Sequence, residues 1–149
     1  MTTYVKAAAG RGTSVIYETD DGRREEWSGG DRNWRNQNPG NIRSNPIAWR
    51  GKIGEAGGFV VFAAPEWGLR AMRMILANRA KEGKTLAQAI AHYAPSVENN
   101  TEAYIKHVVR RSGVAADAVL AGLRPEEMER VMAAMCVHEG SRVGKVIFK

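Results

Sequence analysis

Asn33 to Arg43, NWRNQNPGNIR, is the stretch from which the rest of this sequence is read. It crowds Asn, Gln, Arg, Trp, Pro and Gly together with hardly any apolar periodicity, so neither a helix nor a strand accounts for it. Asn38-Pro39-Gly40-Asn41 spells a turn. Pro39 fixes φ at the second position, Gly40 permits φ > 0 at the third, and the flanking Asn side chains can bond back to the main chain. The amides offer donors and acceptors together, the chemistry needed to hold a polyhydroxylated or N-acetylated ligand. They equally suit a loop stitched together by its own Asn side chains, and these residues alone leave both readings open.

On the N-terminal side of this loop the pattern is extended. Residues 1–12 are small and Gly-bearing and read as a loose or edge segment. Thr13 to Thr19 alternates, with Val15 and Tyr17 on one face, and Asp21-Gly22 marks a hairpin into Arg23 to Trp27 before Ser28-Gly29-Gly30-Asp31 breaks it. On the C-terminal side, Trp49-Arg50-Gly51 and Gly54 to Gly58 are loop signals, and Gly58 to Phe62 reads as one short strand.

From Pro65 the periodicity is helical. Pro65 and Glu66 open a helix with Leu69, Met72, Ile75 and Leu76 as its apolar stripe and Gly83 as its stop. Thr85 with Gln88 forms a capping box for a second helix carrying Leu86, Ala89, Ile90 and Tyr93, which must end before Pro95. Asn99 with Glu102 caps a third, carrying Tyr104, Ile105, Val108 and Val109 to near Gly113. A short helical turn at Ala115 to Leu120 precedes the last helix, Pro125 to about His138, and Val143 to Lys149 reads as a strand able to pair with the N-terminal hairpin. The sum is one mostly helical α+β domain over residues 1–149, with a small β-hairpin supplied by an N-terminal extension, residues 1–30.

A chain of 149 residues buries roughly two-thirds of its unfolded surface, enough for a core without staples. The single cysteine, Cys136, cannot bridge internally and reads as a core thiol. No Cys/His spacing suggests a metal, and no Walker or dinucleotide glycine pattern suggests a cofactor. Neither a signal peptide nor a membrane span is legible, so the expectation is synthesis in the cytoplasm, with export left to another component and no stable membrane insertion. The net charge of +6 favours an anionic partner: nucleic acid, phospholipid or the bacterial wall. Nucleic acid ranks last, because the arginines are scattered and no binding motif accompanies them.

Chemistry gathers at the end of the last helix. Met128, Met132 and Met135 form an apolar series whose next member is Glu139, a carboxylate on a face that elsewhere points inward. Partial desolvation and the negative helix end would raise its pKa, the condition for a general acid in glycosidic cleavage. Gly140 beside it would let a substrate approach. The alternative is a frayed helix end, solvated or paired with Arg142. Glu98, in the polar stretch Tyr93 to Thr101, reads either as a second catalytic carboxylate or as a brace for the Asn38 turn. His92, His107 and His138 lack ligand spacing, and no Ser or Cys has a base partner that would make it a nucleophile.

WRNQNPGNIR, FVVFAAPEWGLRAM, YAPSVENNTEAYIKHV and VMAAMCVHEG, in that order, resemble a family of small bacteriophage and proteobacterial proteins described as virion or structural proteins and related to lysozyme-like peptidoglycan hydrolases. The resemblance covers about Asn33 to Gly140. It implies a lysozyme-like fold and cleavage of the glycan between N-acetylmuramic acid and N-acetylglucosamine, by a muramidase or a lytic transglycosylase. The Glu-ended helix comes last here and the substrate-lining turn first, which implies a circular permutation of that site. By carry-over Glu139 is the general acid. Asn38, Asn41 and Asn100 line the sugar cleft, and Phe62, Trp67, Tyr93 and Tyr104 are its walls. Many relatives read His-Glu-Asn-Gly, whereas here Gly140 follows Glu139 directly. A second carboxylate would come from Glu98, Glu66, Glu55 or Asp31, with a separation of about 5 Å for retention and about 6.5–9.5 Å for inversion.

The expected activity is therefore peptidoglycan cleavage by a phage lysis or entry enzyme, or by an antibacterial toxin acting on the periplasmic wall after delivery by a virion or secretion component. A toxin would call for an immunity protein in the producing cell. The competing expectation is a virion module that grips peptidoglycan without cutting it.

Overall fold

A computed structural model describes residues 2–95 and 100–149. The chain is α+β and divides into two compact units, residues 1–71 with 139–149, and residues 72–138.

The first unit is built on a six-stranded mixed sheet. Its strands are β1 (Tyr4–Ala9), β2 (Val15–Thr19), β3 (Arg24–Ser28), β4 (Lys52–Ala56), β5 (Phe59–Phe62) and β6 (Lys145–Phe148), in the order β5-β4-β1-β2-β3-β6. The expected hairpin is present as β2 and β3, and the expected tail strand pairs antiparallel with β3. A small hairpin is nonetheless too modest a description. Residues 4–9, read from sequence as loose or edge, form an interior strand, antiparallel to β2 and parallel to β4.

The small residues that hid β1 are what allow it to sit there. Ala7 is buried and pairs with Gly54, where an added Cβ would stand 2.0 Å from the Ala7 carbonyl oxygen. The glycines at 54 to 58, read as a loop, thus split into a strand that needs Gly54 and a hairpin turn at Gly57-Gly58, where φ of +62° and +85° suits the type I′ geometry. Gly54→Ala should therefore destabilise the protein by about 1–3 kcal/mol. Gly122→Ala, which meets nothing within 4 Å, should be near neutral by comparison. Urea midpoints of the two variants check this.

The core face of the sheet carries Ala7, Val15, Tyr17, Ala56 and Val61, with Tyr4, Trp27 and Ile53 packed against them. Buried Glu25 accepts hydrogen bonds from the Tyr4 hydroxyl (2.7 Å) and Trp27 Nε1 (3.1 Å), while the Trp27 ring stacks on Trp34. Tyr17 donates its hydroxyl to the Arg35 carbonyl, and burial holds its pKa far above the ordinary phenol value.

The Asn-rich stretch opens with a one-turn helix, α1 (Arg32–Arg35), which sequence did not suggest. It then runs along β5 and satisfies the edge of the sheet with its side chains. Asn36 Nδ2 reaches the carbonyls of Ala56, Phe59 and Val60, Gln37 Nε2 those of Phe62 and Ala63, and Asn38 Nδ2 those of Ile42 and Val60. Amides covering an exposed row of strand carbonyls explain a composition that neither helix nor strand could. The 38–41 turn closes through Asn41 N to Asn38 O at 2.9 Å. The left-handed residues, however, are Gln37 just before the turn and Asn41 at its end, both at φ +48°, and not Gly40 as expected.

Helix α2 (Pro65–Lys81) leaves this unit at Ala71. Its Gly68 lies against the loop, where a Cβ would be 2.7 Å from Pro39 Cδ, which is why a helix former is absent there.

In the second unit, α3 (Leu86–Tyr93) begins with the expected capping box, Gln88 N to Thr85 Oγ1 at 3.2 Å and Thr85 N to Gln88 Oε1 at 2.9 Å. Helix α4 (Thr101–Ser112) is capped by Asn100, not Asn99, which lies outside the described residues, and it ends at Gly113 with φ +75°. The helical turn expected at Ala115 to Leu120 is instead a simple turn, closed by Ala118 N to the Ala115 carbonyl at 3.1 Å, and the helical turn follows it as a 3-10 turn at Leu120–Gly122, ahead of α5 (Pro125–Glu139). Met72, Leu76, Leu86, Ile90, Val108, Leu120, Val131, Met132 and Met135 are among the buried apolar side chains of this unit. Cys136 is only half-buried, with its thiol 3.8 Å from Met72 Sδ. No helix among the described residues is long and apolar enough to cross a membrane.

Two of the three histidines that looked unrelated in sequence, His107 and His138, meet here. His138 lies 4.0 Å from the Tyr104 ring and 5.1 Å from His107, whose Nε2 is buried without a hydrogen-bond partner among the described residues. Burial first, then His138 and the Arg111 and Arg110 charges, holds the His107 pKa below its ordinary value. The unfolded chain then binds the extra proton, so this contribution is complete above the free-imidazole range and is lost as pH falls through it. The denaturation midpoint should decline from pH 7 to pH 5, and His107→Phe should flatten that decline.

Candidate active site

Helix α5 ends at Glu139, and the backbone then takes two unusual steps, φ +136° at Gly140 and φ +107° at Ser141. Glycine accepts the first freely. A serine at the second needs its surroundings to hold it there. Those surroundings come from the start of the Asn-rich stretch. Asn33 Nδ2 donates to Ser141 Oγ (3.2 Å) and to the Pro39 carbonyl (3.0 Å). Arg142 N donates to Asp31 Oδ2 and Asp31 N to the Arg142 carbonyl, both at 2.8 Å. The approach is so close that a Cβ on Gly140 would stand 2.8 Å from Asp31 Oδ2 and 3.0 Å from Asn33 Oδ1.

Within this frame Asn41 Nδ2 donates to Glu139 Oε1 at 3.0 Å, across 98 residues of sequence. The left-handed backbone at Asn41 is one that Asn tolerates better than most residues, and it carries the amide to the helix end. The carbonyl oxygens Asn33 Oδ1 and Asn41 Oδ1 are buried and have no partner among the described residues. The cluster thus holds a carboxyl group in place through a side-chain donor on one of its oxygens, an arrangement compatible with acid–base work.

The residues singled out from sequence fare differently. Glu139 and Asn41 are brought together. Asn38 is fully buried, and its Oδ1 accepts from Ile42 N at 2.9 Å while Nδ2 serves two carbonyls, so its amide is spent on bracing. Phe62 is also fully buried and offers a sugar no face. Trp67 is half-buried and packs over Gly51, where a Cβ would be 2.1 Å from its ring. Tyr93, Asn100 and Tyr104 belong to the second unit. Asn100 is exposed and its Oδ1 accepts from Ala103 N at 3.1 Å, whereas Tyr104 is buried. Glu98 lies outside the described residues. Arg142, the alternative partner considered for Glu139, has its guanidinium 3.8 Å from Asp31. The participants that sequence reasoning missed are Asn33, Asp31 and Ser141. Only the Gly-Ser step right after Glu139 could have hinted at the kink that joins them.

Among the described residues no group of three or more His, Cys, Asp or Glu could hold a metal ion. No protein-family model matches the chain, and no curated protein matches its sequence.

Proposed function

We propose that this protein cleaves the glycan strands of peptidoglycan, with Glu139 as the general acid. The observation that carries the reading is the Asn41 amide fixing Glu139 Oε1 at 3.0 Å, at a helix end shaped by two positive-φ residues. A general acid must present its proton to the glycosidic oxygen in a defined geometry, and a side-chain donor on one carboxyl oxygen supplies that orientation. As the bond breaks, the proton passes from Glu139 to the leaving sugar oxygen and positive charge develops at the anomeric carbon. Asp31, a carboxylate of this frame, accepts from Arg142 N and is committed to that backbone. In the proposed reaction the charge is quenched by the sugar's own hydroxyl, which gives an anhydro product and returns its proton to Glu139. A lysozyme-like, circularly permuted architecture is part of the same proposal. So is delivery to the periplasmic wall by a virion or secretion component, with an immunity protein guarding the producing cell.

The test is product mass from purified peptidoglycan. Anhydro-muropeptides support the proposal as stated, while reducing ends keep the enzyme but require a water nucleophile. Wall binding without soluble products would replace it with a binding module.

A further inference from the structure

The sheet of the first unit is finished on one side and bare on the other. Along β5 the Asn36, Gln37 and Asn38 amides take up strand carbonyls, whereas among the described residues no element pairs with the far side of β6. The register shows which groups are left over there. Lys149 N donates to the Arg24 carbonyl at 2.9 Å, so the pairs Arg24–Lys149, Glu26–Ile147 and Ser28–Lys145 are the ones that exchange main-chain bonds between β3 and β6. Val146 and Phe148 alternate with them and turn their N–H and C=O groups outward. The same parity holds one strand further in, where Thr19 N donates to the Arg23 carbonyl and Glu25 and Trp27 are committed to β2.

The side chains are as unfinished as the main chain. Of the nine large apolar side chains exposed among the described residues, Val143, Val146, Ile147 and Phe148 fall within six positions, so the exposure is concentrated at this edge. Val146 lies opposite Trp27 and Phe148 opposite Glu25, and both therefore extend the face that carries the core of the sheet, while Ile147 lies on the reverse. A strand laid outside β6 would cover Val146 and Phe148 with its own apolar residues.

Charge decides the occupant. Lysines stand at the two ends of the strand, Lys145 and Lys149, the latter also 3.3 Å from Glu26. In the register that pairs Val146 of one copy with Phe148 of another, Lys145 faces Lys149 of the second copy, and each chain carries +6. Self-pairing is thus opposed by like charge, and a strand with carboxylates at those two places meets the same lysines with the opposite sign.

We propose that the free edge of β6 accepts an extended segment of an acidic protein partner as an antiparallel seventh strand, with apolar residues opposite Val146 and Phe148 and carboxylates opposite Lys145 and Lys149. Main-chain bonds to Val146 and Phe148 supply the affinity, and the lysines select the sign of charge. The surface uses none of the residues assigned to glycan cleavage, so it stands or falls separately from that reading.

The experiment titrates the peptide acetyl-Glu-Val-Thr-Val-Glu-amide into the ¹⁵N-labelled protein, beside a form N-methylated at both valines and the lysine-flanked acetyl-Lys-Val-Thr-Val-Lys-amide. The expected result is saturable shifts and slowed exchange of the Val146 and Phe148 amides, with a dissociation constant on the order of millimolar. The two control peptides should each bind at least about tenfold more weakly. Lys145→Glu should weaken the acidic peptide and strengthen the lysine-flanked one. Val146→Pro removes one outward donor and leaves the bonds to β3 in place, so it should fold and lose the response. If that variant does not fold, the N-methylated peptide makes the same test from the ligand's side. Equal binding of either control peptide, shifts away from β6, or no saturable shift at millimolar peptide would overturn the proposal. Dimerisation in sedimentation that protects the Val146 and Phe148 amides without peptide would overturn it as well, by giving the edge to a second copy.

Discussion

Glu139→Gln should reduce the release of muropeptides from purified wall by at least about 10²-fold, within the range expected for losing a positioned general acid. The fold should be left intact. The substitution keeps the size of the side chain and an oxygen that can still accept from Asn41 Nδ2, so the hydrogen bond seen at 3.0 Å can persist. What is removed is the proton that, in the proposed reaction, the leaving sugar oxygen must receive. Far-ultraviolet circular dichroism and the urea midpoint should match wild type. A variant that folds normally and still cuts at the wild-type rate would remove Glu139 from the chemistry.

Asn38→Leu should produce the largest loss of stability among single substitutions in the Asn-rich stretch, about 3–5 kcal/mol. The side chain is fully buried and makes three hydrogen bonds to the main chain, two to Ile42 and one to Val60. Leucine fills a similar volume but leaves the Ile42 N–H without its acceptor, and the loop beside β5 loses a fastening. A domain of this size has roughly 5–15 kcal/mol in total, so the urea midpoint should fall sharply. A change below about 1 kcal/mol would mean that the loop is held by Asn36 and Gln37 alone.

Glu139 and Asn38 show where sequence was readable. The helical half was legible because its signals are local: Pro65 at a helix start, the Thr85/Gln88 box, and Gly113 as a left-handed cap all operate within a turn or two. The sheet was under-read because strand β1 depends on what lies beside it. An alanine-rich segment looks loose until Gly54, 47 residues on, supplies a partner with no side chain to clash. Glu139 could be singled out by its place after the methionine series, since periodicity is also a local signal. Its partners could not be, because Asn41, Asn33 and Asp31 reach residues 139–142 only through the finished fold. The Asn-rich stretch was correctly marked as special, yet most of its amides serve the edge of β5, and only Asn33 and Asn41 turn to the helix end.

The kink after Glu139 also has a kinetic meaning. The contacts Asn41–Glu139, Asn33–Ser141 and Asp31–Arg142 span 98, 108 and 111 residues. Closing a loop of that length costs roughly 4 kcal/mol of chain entropy at 25 °C. The three contacts enclose nearly the same loop, so the first to form bears almost all of that cost and the others follow at little more. The hairpin of β2 and β3 and the helices between should therefore be in place before the carboxyl group finds its seat. Refolding followed by a probe near Glu139 should lag behind refolding followed by helix content.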